Sequence, residues 1–141
     1  MKEPLTNKLS KIAISIRTTS EKSMCEIGFH AGQALLLLTL DGNTSLSQIE
    51  ICNQLEITAA SVNVMVRKLC EAGLVKRIPC PNDGRVMKVR LTKSGKTAVP
   101  AIQDRLLQLD NSLTKNFTDT ELLLLPILLE KLHTNLKDIS K

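Results

Sequence analysis

Nine cations (Arg67, Lys68, Lys76, Arg77, Arg85, Lys88, Arg90, Lys93 and Lys96) stand against only two acids, Glu71 and Asp83, between residues 58 and 100 of a 141-residue chain. That stretch carries +7, whereas residues 1–57 and 101–141 carry −1 each and the whole chain +5. A patch of this kind attracts polyanions, with nucleic acid the usual partner. A solvated basic face without a partner has the same composition, so charge alone leaves both readings open. The residues that open the stretch, Thr58, Ala59, Ser61 and Asn63, are small or polar, the types that approach a phosphate or a base edge without blocking it.

Other chemistry is sparse. Cys25, Cys52, Cys70 and Cys80 form no C-x-x-C pair and no zinc-ribbon spacing, so free thiols in a reducing compartment are expected. Cys25 lies near Glu21, Glu26 and His30 in sequence, where it could serve as a redox thiol or contribute to a metal site. The alternative is a small packed residue, with His30 a polar group at a helix start. We favour the latter, because no local cation lowers the thiol pKa; no metal or other cofactor is expected. Cys52 and Cys70 sit on apolar helix stripes and read as core. Cys80, between Pro79 and Pro81, is expected to be the most exposed of the four, where its oxidation could disturb contact with a partner. The two histidines, His30 and His133, are distant in the chain and lack a nucleophile or carboxylate constellation, so an enzyme is not expected. With Phe29 and Phe117 the only aromatics, stacking on bases or sugars is not expected to be its mode of binding.

The chain has 43% hydrophobic and 23% charged residues, the balance of a single domain over residues 1–141 with a core of Leu, Ile and Val. The opening residues interleave charge with single apolar side chains and offer no signal peptide or membrane span, so a cytoplasmic location and no membrane partner are expected. Leu5, Leu9, Ile12 and Ile16 make one stripe on a first helix. The run Ala34–Leu40 is apolar on every side and predicts a buried helix, ended by Asp41 and Gly42. Ser45 with Gln48 offers a capping box for a short helix to about Leu55 that buries Leu46, Ile49 and Cys52. Thr58 can cap the next helix, which buries Val62, Val66, Leu69 and Cys70 and stops at Gly73. Two short helices joined by a tight turn are the pattern of a helix-turn-helix, the second helix presenting Ala59, Ser61, Asn63, Arg67 and Lys68.

Leu74–Pro79 and Val86–Thr92 read as strands, the second alternating Met87, Val89 and Leu91 with Lys88 and Arg90, one face core and the other basic. The turn between them holds two prolines that prevent pairing, and Asn82, Asp83 and Gly84 tolerate the positive φ expected at a hairpin tip. A basic hairpin attached to a helix-turn-helix is a wing, able to place Arg85 in a minor groove while the helix lies in the adjacent major groove.

Residues Ile57 to Gly95 resemble the MarR family of bacterial winged-helix transcription regulators. The pattern D-x-R-x5-L-T-x2-G is met by Asp83, Arg85, Leu91, Thr92 and Gly95, and L-x-x-x-G-L-V by Leu69, Gly73, Leu74 and Val75. The resemblance implies a mainly α fold with a small β wing: a winged helix-turn-helix region over 31–95 flanked by dimerisation helices in 1–25 and 96–141. It implies a homodimer that binds a pseudopalindromic double-stranded DNA operator and usually represses until a small-molecule effector intervenes. DNA contact then falls to Thr58, Ala59, Ser61, Asn63, Arg67, Lys68, Arg77, Arg85, Lys88 and Arg90, with Asp83 supporting the wing. Val64 stands where many members carry Arg or another polar residue, and Gly84 where they often carry a second Arg. A thiol- or metal-responsive regulator on the same fold, using Cys25 or Cys80, and a winged-helix protein-interaction module are the alternatives.

The terminal regions agree with a dimer through their own chemistry. Ile102, Leu106, Leu109 and Leu113 form a stripe on one long helix, and Thr118 with Glu121 makes a capping box before a segment so rich in Leu and Ile that a monomer could hardly cover it. Pro126 inside that segment is expected to kink or split the helix.

Overall fold

The computed structural model describes residues 2–141; Met1, the first residue of the segment expected to dimerise, lies outside the described residues. In chain order the elements are α1 (Leu5–Cys25), α2 (Ala31–Asp41), β1 (Leu46–Ser47), α3 (Gln48–Leu55), α4 (Ala59–Glu71), β2 (Val75–Pro79), β3 (Met87–Leu91), α5 (Lys93–Leu113) and α6 (Asp119–Ile139). The three strands form one antiparallel sheet in the order β1-β3-β2, so the fold is mainly helical with a small β wing, as expected. The chain divides into two compact units, one ending at Leu106 and one spanning Leu107–Lys141.

In the first unit, Leu36, Leu37 and Leu40 of α2 are fully enclosed with Ile51, Val62, Val66, Leu69, Val89, Val99 and Ile102 around them. α2 is therefore the hub its composition predicts, although Leu35 lies on an outer face and is exposed. Gly32 permits α4 to come close to α2, because a Cβ there would meet the Met65 sulfur at 2.8 Å. Along α1 the stripe is left uncovered within the chain: Leu5, Ile12 and Ile16 are exposed, and only Met24 is buried.

The start of α3 differs from the expectation. Ser47, not Ser45, is the cap: its hydroxyl accepts from the Glu50 amide at 3.1 Å, and the Glu50 carboxylate accepts from the Ser47 amide at 2.8 Å. Leu46 and Ser47 pair with Val89 and Lys88 as strand β1, which delays the helix by two residues. The delay rotates the helix phase, so Ile51 is buried and Ile49, expected inside, is 74% exposed. Thr58 caps α4 as expected, accepting from the Ser61 amide at 3.2 Å, and Gly73 ends the segment with φ 74°.

The base of the wing explains three residues of the motif. The Thr92 hydroxyl donates to the Gly73 carbonyl at 2.6 Å and accepts from the Gly95 amide at 3.1 Å. Gly95 packs so close to the Leu74 carbonyl that a Cβ would collide with it. The tip differs from the expectation: among the described residues no position from 80 to 86 has positive φ. The turn closes instead through the Cys80 amide to the Val86 carbonyl, 2.8 Å, and the Val86 amide to the Asp83 carbonyl, 3.0 Å. Met87, at the distal end of β3, runs past the core and is exposed, whereas Val89 and Leu91 are buried.

In the second unit, α5 ends at Leu113, Asn116 takes a left-handed φ of 70° that Asn tolerates, and Thr118 with Glu121 forms the expected capping box. α6 continues unbroken through Pro126, so the helix is not split. No residue of α6 is buried, and Leu122, Leu123, Leu124, Ile127, Leu128 and Leu129 are all exposed.

Candidate nucleic-acid interface

The first turns of α4 present Thr58, Ala59, Ser61, Asn63, Arg67 and Lys68 as exposed residues, while Val62 and Val66 on the inner face hold the helix to the core. The cap geometry leaves this helix N-terminus uncluttered: the Thr58 and Ser61 hydroxyls bond to one another at 3.0 Å. Unpaired amides and the helix dipole then favour an anion such as a phosphate at this end. Val64 lies on the same outer side and is exposed, an apolar residue among the polar ones.

Arg85 projects from the wing with its side chain 95% exposed. Asp83 orients it twice: its carboxylate accepts from the Arg85 amide at 3.1 Å and faces the guanidinium Nε at 3.5 Å. The turn is thus an acid-stabilised loop that projects an arginine, steadied by Asp83, from its tip.

The remaining predicted cations do not form one surface. Strand register pairs Val75 with Leu91, Arg77 with Val89 and Pro79 with Met87, which puts Arg77 on the sheet face that bears the core residues and adjoins α4. Lys76 pairs with Arg90 and Ile78 with Lys88, so Lys76, Lys88 and Arg90 share the opposite face. Lys88 is largely covered and lies 3.8 Å from the Glu50 carboxylate of α3, which holds it against the helix-turn-helix. Arg90 and Lys76 line a groove of about 620 Å³ with Lys93, Lys96 and the α2–β1 loop Asp41–Thr44. The alternating pattern of β3 reveals its basic face; only the register shows that Arg77 lies on the other one.

The thiols are placed differently from the expectation. Cys25 is exposed rather than packed, and Cys80 is only partly exposed, because its amide closes the wing turn under Val86. Cys52 and Cys70 are partly buried against the core. His30 does stand at a helix start, as the residue preceding α2, with its amide bonded to the Gln33 side chain at 3.2 Å. Glu21 gathers the corner: Oε2 accepts from the Ala31 amide at 2.9 Å, while Oε1 lies 2.5 Å from His30 Nδ1 and 3.4 Å from Cys25 Sγ. The Ala31 amide, then His30 and Cys25, hold the Glu21 carboxyl below its ordinary pKa. The Cys25 thiol is pushed up, first by its hydrogen bond to Glu21 and then by desolvation, which makes it a poor thiolate at neutral pH. The proximity of these residues is visible in the sequence, but the bond from Glu21 to the next helix has no local signature.

A family model described as MarR family matches residues 27–86. The multiple antibiotic resistance protein MarR of Escherichia coli (strain K12) is 30% identical over 102 residues, covering 72% of this chain and 71% of its own. The chain belongs to the MarR family. It is similar to other transcriptional regulators over most of its length. The HTH-type transcriptional regulator BilQ of Clostridioides difficile (strain CD3) is 25% identical over 119 residues, 84% of this chain and 80% of its own. The reduced form of MarR from E. coli superposes with a TM-score of 0.79 at 26% identity, over 94% of this chain and 98% of that one. BpsR of Bordetella bronchiseptica, described in terms of regulation of its DNA binding by 6-hydroxynicotinic acid, shares the fold at TM-score 0.85 and 20% identity, over 93% and 94% of the two chains. MarR-family proteins are DNA-binding transcription regulators, in keeping with the helix-turn-helix and wing described above. Among the described residues no helix is long and apolar enough to cross a membrane.

Proposed function

We propose that this MarR-family chain is a homodimeric transcription repressor that binds a pseudopalindromic operator and is released by a small-molecule effector. The observation that carries the DNA reading is that one chain presents both an exposed α4 surface from Thr58 to Lys68 and a fully projecting Arg85 at the wing tip. In this reading Ser61 and Asn63 meet base edges in the major groove, Arg67, Lys68 and Arg77 neutralise phosphates beside them, and Arg85 enters the minor groove with Asp83 setting its aim. Lys88 and Arg90, on the far sheet face, contribute to the electrostatic field rather than to direct contact.

The dimer is supported by apolar surface that the single chain leaves bare, Leu5, Ile12 and Ile16 on α1 and Leu122 to Leu129 on α6. A twofold arrangement would set the two reading helices about one DNA turn, roughly 34 Å, apart. Effector release is in keeping with BpsR, a neighbour in fold that is described in terms of regulation of its DNA binding by 6-hydroxynicotinic acid. The deciding experiment compares binding of the purified protein to the duplex upstream of its own gene and to a scrambled duplex at two salt concentrations. Salt-dependent preference for the upstream duplex is expected; equal affinity at both salts would replace this reading with a protein-interaction module.

A further inference from the structure

We infer that Glu21, Cys25 and His30 form a site for one zinc-class metal ion that clamps the end of α1 to the start of α2. One carboxylate oxygen, the thiol sulfur and an imidazole nitrogen lie within 4.8 Å of one another. The backbone brings them there by separate means. Glu21 and Cys25 are four residues apart and share a face of the last turns of α1, whereas Gly28, at φ 89°, turns the chain so that His30 returns beside them.

The spacing suits a tetrahedral ion. Zinc binds sulfur at about 2.3 Å and nitrogen or oxygen at about 2.0 Å, so neighbouring ligand atoms sit about 3.3 to 3.6 Å apart. Cys25 Sγ and Glu21 Oε1 are already 3.4 Å apart; His30 Nδ1, now 2.5 Å from the same oxygen, needs to withdraw by under about 1 Å. The second carboxylate oxygen is held by the Ala31 amide at 2.9 Å, an outer contact that fixes the direction of the first. Nearby Glu26 is turned elsewhere, paired with Arg105 at 2.5 Å.

A mixed sulfur, nitrogen and oxygen set selects zinc-class ions over magnesium or calcium, which take oxygen. The site is open, with the His30 side chain 65% and the Glu21 side chain 43% exposed, so the ion can enter and a water can complete its coordination. Binding forms three metal–ligand bonds, releases the Cys25 thiol proton to solvent, leaves the His30 ring proton on Nε2 with Nδ1 free to take the ion, and involves no redox change.

The test needs no DNA, so its outcome is independent of the operator reading. Metal-stripped, fully reduced protein is titrated with cobalt(II), followed by the thiolate-to-cobalt charge-transfer absorption, and then with zinc. One equivalent per chain is expected to produce the band, zinc to abolish it, Cys25→Ser to eliminate it and Cys80→Ser to leave it unchanged. No band in the natural protein, or a band surviving in Cys25→Ser, overturns the site. If Cys25→Ser does not fold by circular dichroism, His30→Ala decides: zinc affinity measured against a chromogenic chelator is expected to fall at least about tenfold. Unchanged affinity in that variant overturns the inference equally.

Discussion

The Thr92 hydroxyl donates to the carbonyl of Gly73, nineteen residues earlier, at 2.6 Å, and so ties the exit of α4 to the exit of the wing. Thr92→Val keeps the shape and removes both the donor to Gly73 and the acceptor for the Gly95 amide; a loss of about 1–3 kcal/mol is expected in urea unfolding, with an unchanged denaturant slope. Gly95→Ala, which drives a Cβ into the Leu74 carbonyl, is expected to cost about 1–3 kcal/mol in the same measurement. A Gly95→Ala protein as stable as the parent would show that the two segments part more easily than their packing indicates.

Arg85→Ala is expected to leave stability unchanged, because the side chain is 95% exposed. Affinity for every duplex is expected to fall, with the slope of log affinity against log salt flattening by about one unit and A·T preference weakening. Titrations at several salt concentrations on two flanking sequences measure both effects. An unaltered slope removes Arg85 from the phosphate-contacting set.

Ser61→Ala and Asn63→Ala are expected to reorder operators instead, by about 1–3 kcal/mol for each hydrogen bond to a base that disappears. A panel of single-base operator variants reads this directly. Equal weakening on every operator would move base readout elsewhere on α4.

Much of this arrangement is legible in the sequence alone. Thr58, Gly73, Thr118 and Glu121 carry local rules, a cap or a terminator, that operate wherever the chain folds. Ser47 with Glu50 spells a capping box too, but so does Ser45 with Gln48, and only the pairing of β1 with β3, some forty residues away, decides between them and so sets which residues of α3 face inward. The same holds at the candidate interface. Arg85 and the α4 residues are visible from pattern, whereas Arg77 and Arg90 are separated onto opposite faces by register alone. Flanking prolines suggest an exposed Cys80; the backbone bond that closes the turn partly covers it.

Glu21 makes the corner between α1 and α2 sensitive to acid. Its carboxyl is held below the ordinary value in the folded chain, so its contribution is present above the usual carboxylate range and is lost as pH falls through the lowered value. Glu21→Gln is therefore expected to be less stable than the parent at neutral pH, the difference vanishing in acid; thermal unfolding across that range tests it. The same substitution turns the charged acceptor that raises the Cys25 pKa into a neutral one, so alkylation of Cys25 in metal-free protein at neutral pH is expected to quicken. With the parent thiol so restrained, mild peroxide is expected to leave operator affinity unchanged.

Leu124 and Leu128 lie one helical turn apart on α6, both exposed, beside Phe117. Replacing both with Glu is expected to leave helix content intact and to convert a dimer to a monomer in sedimentation experiments, with a large drop in operator affinity. A dimer that persists would place the subunit interface on other residues.

Glu50 holds two parts of the reading head at once: one oxygen caps α3 through the Ser47 amide, and the other faces Lys88 on the wing strand. Together with the pairing of β1 to β3, this ties α3 to the wing strand at two points. Under the proposed DNA-binding function, these ties are expected to make α4 and Arg85 move together, as the bit of a key moves with its shaft.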